Sequence, residues 1–116
     1  MKPSASRVAA RHTRLDTDLK FIILDMRGRN NFPEGPSGLV YQHIDRREVK
    51  RPHTGETVKM RGEYLIRADD SGWRIDEVDY PINVAVYGPG HQTHFKTPRE
   101  AAKALQAYLQ DLATRP

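Results

Sequence analysis

The sequence predicts a single α+β domain, mainly an antiparallel β-sheet of about four to five strands covered on one face by a C-terminal amphipathic helix. Three observations carry that expectation. Residues 97–112 (TPREAAKALQAYLQDL) combine a helix start signal with an apolar stripe. Residues 58–68 alternate with the period of a strand and run into a turn, Asp69-Asp70-Ser71-Gly72. At 116 residues the chain has the length of one domain, enough for a single modest core.

Residues 1–14 (MKPSASRVAARHTR) hold small residues and the basic side chains of Lys2, Arg7, Arg11 and Arg14, with almost nothing to bury. They are expected to form a basic N-terminal arm, flexible or a short frayed helix, ahead of the domain at 15–116. Between 15 and 26, Leu15, Leu19, Ile22, Ile23 and Met26 fit a helical face, while the run Phe21-Ile22-Ile23-Leu24 fits a strand. The expectation is a helical turn followed by a strand over 20–26. The Gly, Pro and Asn of RGRNNFPEGPSG make 27–38 a loop.

Residues 39–44 are a short apolar strand, and 45–56 (DRREVKRPHTGE) a charged connection containing Pro52 and Gly55. The next segment places Val58, Met60, Tyr64, Ile66 and Ala68 on one face and Lys59, Arg61, Glu63 and Arg67 on the other, with Gly62 marking a bulge or close packing. The Asp69–Gly72 turn folds that strand back onto 73–78 as a hairpin. Tyr80, Ile82, Val84 and Val86 alternate again, and Gly88-Pro89-Gly90 returns the chain through His91–Phe95. In the helix, Thr97 is the N-cap, Pro98 suits the first turn and Glu100 completes a capping box. Ala101, Leu105, Tyr108 and Leu112 form the stripe, widened by Ala102 and Leu109.

Composition narrows the function classes. There is no cysteine, so disulfides, thiolate ligands and a Cys nucleophile are excluded, and a reducing cytoplasm is expected. No run of about 20 apolar residues and no apolar core of a signal peptide is present. The net charge is +4 and the pI near 9.6. Residues 1–67 carry 14 Lys/Arg against 8 Asp/Glu, and 68–116 carry 5 against 7, so the basicity belongs to the first half. Such asymmetry points to a polyanionic partner or to an acidic protein surface.

The candidate chemistry is thin. His91 and His94 sit three apart beside Gly-Pro-Gly, where a turn entering a strand would aim them at opposite faces, and neither His43 nor His53 is selected as a further ligand. No metal site is expected. Asp69 and Asp70 are explained by the turn, and Asp76, Glu77 and Asp79 by an exposed strand end or a patch that pairs with the basic half. Arg27-Gly28-Arg29-Asn30-Asn31 lacks the strand-loop-helix setting of a phosphate loop, and no Gly-x-Ser-x-Gly or His-Glu-x-x-His occurs. No catalytic residue, cofactor or enzyme activity is therefore expected.

The basic residues are more coherent. Lys59, Arg61 and Arg67 are expected to share one strand face, with Arg74 joining across the hairpin and Arg46, Arg47, Lys50 and Arg51 flanking it from the preceding loop. Arg7, Arg11 and Arg14 in the arm add further cations. Glu48, Glu56 and Glu63 interrupt the stripe, and Tyr41, Trp73 and Tyr87 are the few aromatics available for stacking. The expectation is a small non-enzymatic intracellular module that binds nucleic acid or a nucleoprotein. The alternative is a protein-binding inhibitor or accessory factor of the kind mobile elements encode, with a mixed-charge patch around Tyr41, Tyr87 and Leu65. An exposed sheet edge would also permit a homodimer.

Over residues 73–112 the order of hairpin, strand, Phe95-Lys96-Thr97-Pro98-Arg99-Glu100-Ala101 and helix resembles the three-strands-plus-helix arm-binding domains of phage-type integrases, and equally the sheet-plus-helix unit of HicB-like antitoxins. A strand exit followed by a capping box requires most of that run. The resemblance therefore assigns no family and carries over no functional residue.

Overall fold

The computed structural model describes residues 12–26, 38–79 and 81–115. An antiparallel sheet and one helix make up the α+β fold that the alternation and the capping signals predict. The strands are β1 (His12–Thr13), β2 (Phe21–Asp25), β3 (Leu39–Asp45), β4 (Glu48–Lys50), β5 (Thr57–Lys59), β6 (Gly62–Asp69), β7 (Gly72–Glu77) and β8 (Val84–Val86); α1 spans Pro98–Thr114. The main sheet has the order β1-β2-β3-β6-β7-β8, of which β1 is only two residues long, and β4 and β5 pair separately as a two-stranded ribbon.

Helix α1 starts as its sequence dictates. The Thr97 side chain accepts the Glu100 backbone N–H at 3.1 Å, and the Glu100 carboxylate reaches back to the N–H of Lys96 at 3.0 Å. Its inner face buries Ala101, Ala102, Leu105 and Leu109 against Phe21, Tyr64, Ile66, Ile75, Val86 and Phe95. Two alanines at the front of the stripe let the helix approach the sheet closely, and the two leucines fill the rest of the layer. The Asp69–Gly72 turn is also where it was expected. Gly72 has φ +129°, and a Cβ there would lie 2.8 Å from the Phe95 carbonyl oxygen, which accepts the Trp73 N–H at 2.8 Å. Glycine is required by both conditions.

Register assigns the two faces of the sheet. His43 pairs with Tyr64, Tyr41 with Ile66, and Ile66 with Ile75, all on the helix side. Gln42 pairs with Leu65, Val40 with Arg67, and Arg67 with Arg74, all on the side without a helix. His43 is buried, and its Nδ1 meets the Lys20 carbonyl at 2.9 Å, so that nitrogen carries the proton. Trp73 packs on the core from its rim, with its ring 5.8 Å from that of Tyr41.

Four local expectations are corrected. His12 and Thr13 pair with Ile22 and Phe21, so the end of the expected arm belongs to the sheet; residues 1–11 lie outside the described residues, as does the expected loop at 27–37. The segment before β2 is a turn rather than helical, with Leu15 and Asp16 at φ 49° and 60°. The charged connection at 45–56 contains β4, which pairs with β5 through Val49 and Val58. The long strand at 58–68 is broken at Met60 and Arg61, so Lys59 and Arg67 belong to different sheets.

Candidate functional site

Each expected basic residue is placed by the acceptor nearest to it. Arg47 donates from Nε to Asp45 Oδ1 at 2.9 Å and from Nη2 to Asp45 Oδ2 at 3.2 Å, with a further contact to the Leu109 carbonyl at 3.5 Å. Arg51 donates to the Arg115 carbonyl. Both contacts fall on the last turns of α1, where unpaired carbonyls and the negative end of the helix dipole favour cations. The charged ribbon is thereby fastened to the end of the helix.

Arg67 and Arg74 face each other across β6 and β7, as the hairpin requires, but both are bound. Arg67 Nε donates to Asp76 Oδ2 at 2.8 Å, and Arg74 Nη2 to Asp76 Oδ1 at 3.0 Å. Asp76 is 2% exposed, so of the two expectations for the acidic residues here it departs from an exposed strand end and agrees with a patch that pairs with the basic half, through Arg67. Arg74 also lies 3.7 Å from Asp69. The positive stripe on one strand face is therefore not present as expected.

Apart from the N-terminal arm, four of the expected cations remain. Arg46, Lys50, Lys59 and Arg61 are exposed and make no ion pair with any described residue. Three of them converge. β3 and β6 continue into the ribbon through a joint at residues 46–47 and 60–61. Asp45 pairs with Gly62 on one side of it, and the Met60 N–H donates to the Arg47 carbonyl on the other, at 2.7 Å. Arg46 and Arg61 thus meet across the joint, and Lys59 flanks them. Together with Ile44, Asp45, Met60, Gly62 and Glu63 they line a cleft of about 510 Å³. Asp45, already engaged by Arg47, and Glu63 share the lining, so the three cations exceed the carboxylates by one, and opposed Arg46 and Arg61 favour an anion between them. Lys50, at the end of β4, is not part of the cleft lining. Arg14 is exposed after β1, and Arg7 and Arg11 lie outside the described residues.

The sequence missed Ile44, Met60 and Glu63 as lining residues. Ile44 is 40% exposed, unusual for an isoleucine in a central strand. Glu63 pairs across the ladder with Ile44 and accepts from Gln42 Nε2 at 2.7 Å through Oε2. The one available signal was Gly62, which falls where the alternation calls for an apolar side chain.

His94 has a structural task. Its Nε2 lies 2.8 Å from Asp69 Oδ2 and its Nδ1 3.0 Å from the Thr93 hydroxyl, tying the β6–β7 turn to the segment that enters α1. The His94 hydrogen bond, helped by the Ser71 N–H and Arg74, holds the Asp69 carboxyl below its usual range. His91 instead packs edge-on to Tyr87, and among the described residues no cluster of three His, Asp or Glu side chains is placed to hold a metal ion. Tyr108 donates to Glu77, and burial raises its pKa, as it does more strongly for Tyr64.

Two of the aromatics expected for stacking, Tyr41 and Trp73, belong to the helix side of the sheet, and Tyr87 stands at the far edge beyond β8. Among the described residues no helix is long and apolar enough to cross a membrane. Comparisons with protein-family models, with curated proteins and with solved structures found no match.

Proposed function

We propose that this protein is a small non-enzymatic binding module that holds nucleic acid through backbone phosphates at the ribbon joint. The observation that carries the reading is the sorting of the cations. Arg47, Arg51, Arg67 and Arg74 are engaged by acceptors within the fold, whereas Arg46, Lys59 and Arg61 converge in one cleft with no acid bound to them among the described residues. Guanidinium groups at such a place match phosphate geometry.

The test is a fluorescence-anisotropy titration with single-stranded DNA, RNA and duplex DNA across a range of salt. Each phosphate contact contributes a slope of about −0.7 for a single strand or −0.9 for a duplex in log K against log salt. The double variant Arg46→Gln, Arg61→Gln is expected to bind more weakly and to lose about two such contacts. No binding at low salt by the unaltered chain refutes the reading.

A second reading is favoured by the other edge of the sheet. Ile82, Val84 and Tyr87, exposed by 72%, 46% and 51%, cluster along edge strand β8. An apolar edge with unpaired backbone groups suits a protein partner, or a second copy of the chain paired strand to strand. Under that reading Val84→Lys abolishes association measured by sedimentation, while Arg61→Gln leaves it unchanged.

A further inference from the structure

Phosphate contact alone accounts for only half of the cleft. Its cations stand at one end, but Ile44 and Met60 give it an apolar floor, and Glu63 stands beside Ile44 across the ladder. A carboxylate next to a phosphate seat repels the anion. It belongs there only if the ligand also brings hydrogen-bond donors. Glu63 Oε2 already accepts from Gln42 Nε2, while Oε1 receives no hydrogen bond from a described residue, and a carboxylate offers acceptors only.

We propose that the cleft is a seat for one whole nucleotide: phosphate on Arg46, Lys59 and Arg61, the base plane over Ile44 and Met60, and the donor-bearing edge of the base on Glu63. This inference rests on the nucleic-acid reading but asks more of the same residues. The volume of about 510 Å³ lies within the range of small-molecule sites and admits a nucleotide. An intact duplex engages the Watson–Crick edge of each base, where guanine carries N1–H beside its amino group, so the ligand is an unpaired nucleotide, either free or within a strand. Guanine presents two adjacent donors, N1–H and the exocyclic amino group, whereas uracil presents one. The seat therefore prefers guanine to uracil. Among the described residues the strands put no aromatic on the side without a helix, so base recognition here depends on the cleft and not on a stacking platform of the kind common in single-strand binders.

The experiment follows the unaltered chain, Arg61→Gln and Glu63→Gln by NMR and calorimetry with 5′-GMP, 5′-UMP, inorganic phosphate, a guanine-rich single strand and the duplex formed from it. Expected results are binding of GMP about tenfold tighter than UMP, weaker binding by inorganic phosphate, and a preference for the single strand over the duplex. Arg61→Gln weakens both nucleotides alike. Glu63→Gln, which keeps an acceptor toward Gln42 but loses the charge, levels GMP with UMP while amide shifts elsewhere report an unchanged fold. GMP binding without oligonucleotide binding supports the seat as one for free nucleotides and refutes the nucleic-acid reading. Oligonucleotide binding that is indifferent to base and to Glu63→Gln supports the phosphate reading and overturns the seat. Equal affinity for inorganic phosphate and GMP also overturns it.

Discussion

Replacing Arg67 by Met separates the arginines that hold the fold from those that face a ligand. Arg67 Nε donates to Asp76 Oδ2 at 2.8 Å, with the side chains 17% and 2% exposed, so solvent screens this pair far less than a surface salt bridge. Methionine keeps most of the aliphatic stem and removes the charge. Asp76 would retain Arg74, whose Nε and Nη2 donate to Oδ1 at 3.2 and 3.0 Å. What Asp76 loses is therefore one charge-assisted hydrogen bond, not the larger cost of a buried charge left alone, so the variant loses at least about 2 kcal/mol. In a urea melt with a slope of about 2 kcal/mol/M, that lowers the midpoint by at least about 1 M. Arg61→Met removes a guanidinium with no acid bound to it and shifts stability by less than about 0.5 kcal/mol. Equal midpoints for the two variants would refute the sorting of the cations into internal and free. Charge reversal at Arg67 is consequently a poor probe of binding, because it sets two carboxylates together beneath the open face.

Leu105→Ala opens a cavity at a fully buried position and should cost about 2 to 5 kcal/mol in the same melt; a value under 1 places Leu105 outside the core. Gly72→Ala forces a Cβ to 2.8 Å from the Phe95 carbonyl oxygen at φ +129°, and a thermal midpoint within a degree of the unaltered chain refutes that crowding. The Asp69 carboxyl is held below the ordinary range of a carboxylate, so its contribution is present above that range and lost as pH falls through the lower folded value. Asp69→Asn should therefore lose less stability on acidification below about pH 4 than the unaltered chain. Parallel acid limbs for the two proteins would remove Asp69 as a contributor.

The fold was legible where one local rule and one tertiary demand agreed. Thr97, Pro98 and Glu100 specify a helix start whether or not a sheet is present, and the stripe then specifies what that helix covers. Asp69-Asp70-Ser71-Gly72 likewise turns wherever it stands. The ribbon was illegible for the opposite reason. β4 and β5 are three residues each, and only Val49 and Val58 mark their inner face, too little for a period of two to stand out from charged neighbours. The break at Met60 and Arg61 was hidden because Met60 continues the apolar alternation that Val58 begins. The turn at Leu15 and Asp16 uses left-handed backbone at residues other than glycine, which no propensity anticipates.

The cation cluster was half legible, and the missing half is a matter of partners. Counting Lys and Arg finds the basic half of the chain, but a charge acts on a ligand only if the fold has not already bound it. One pairing could be seen in advance: in Trp73-Arg74-Ile75-Asp76 the spacing of two places Arg74 and Asp76 on one strand face. Arg67 reaches the same carboxylate only through the hairpin register, and Arg47 and Arg51 reach α1 across more than sixty residues of chain. What these pairings leave over is decided by geometry. Arg46 and Arg61 are forced across from one another because β3 and β6 must continue into β4 and β5, and neither forms an ion pair with a described residue, although Asp45 and Glu63 line the same cleft. A joint built with opposed arginines raises the energy of the empty protein. The rise is tolerable if occupation by an anion reverses it, which is why the cleft, rather than the more numerous arginines around it, is where binding is to be sought.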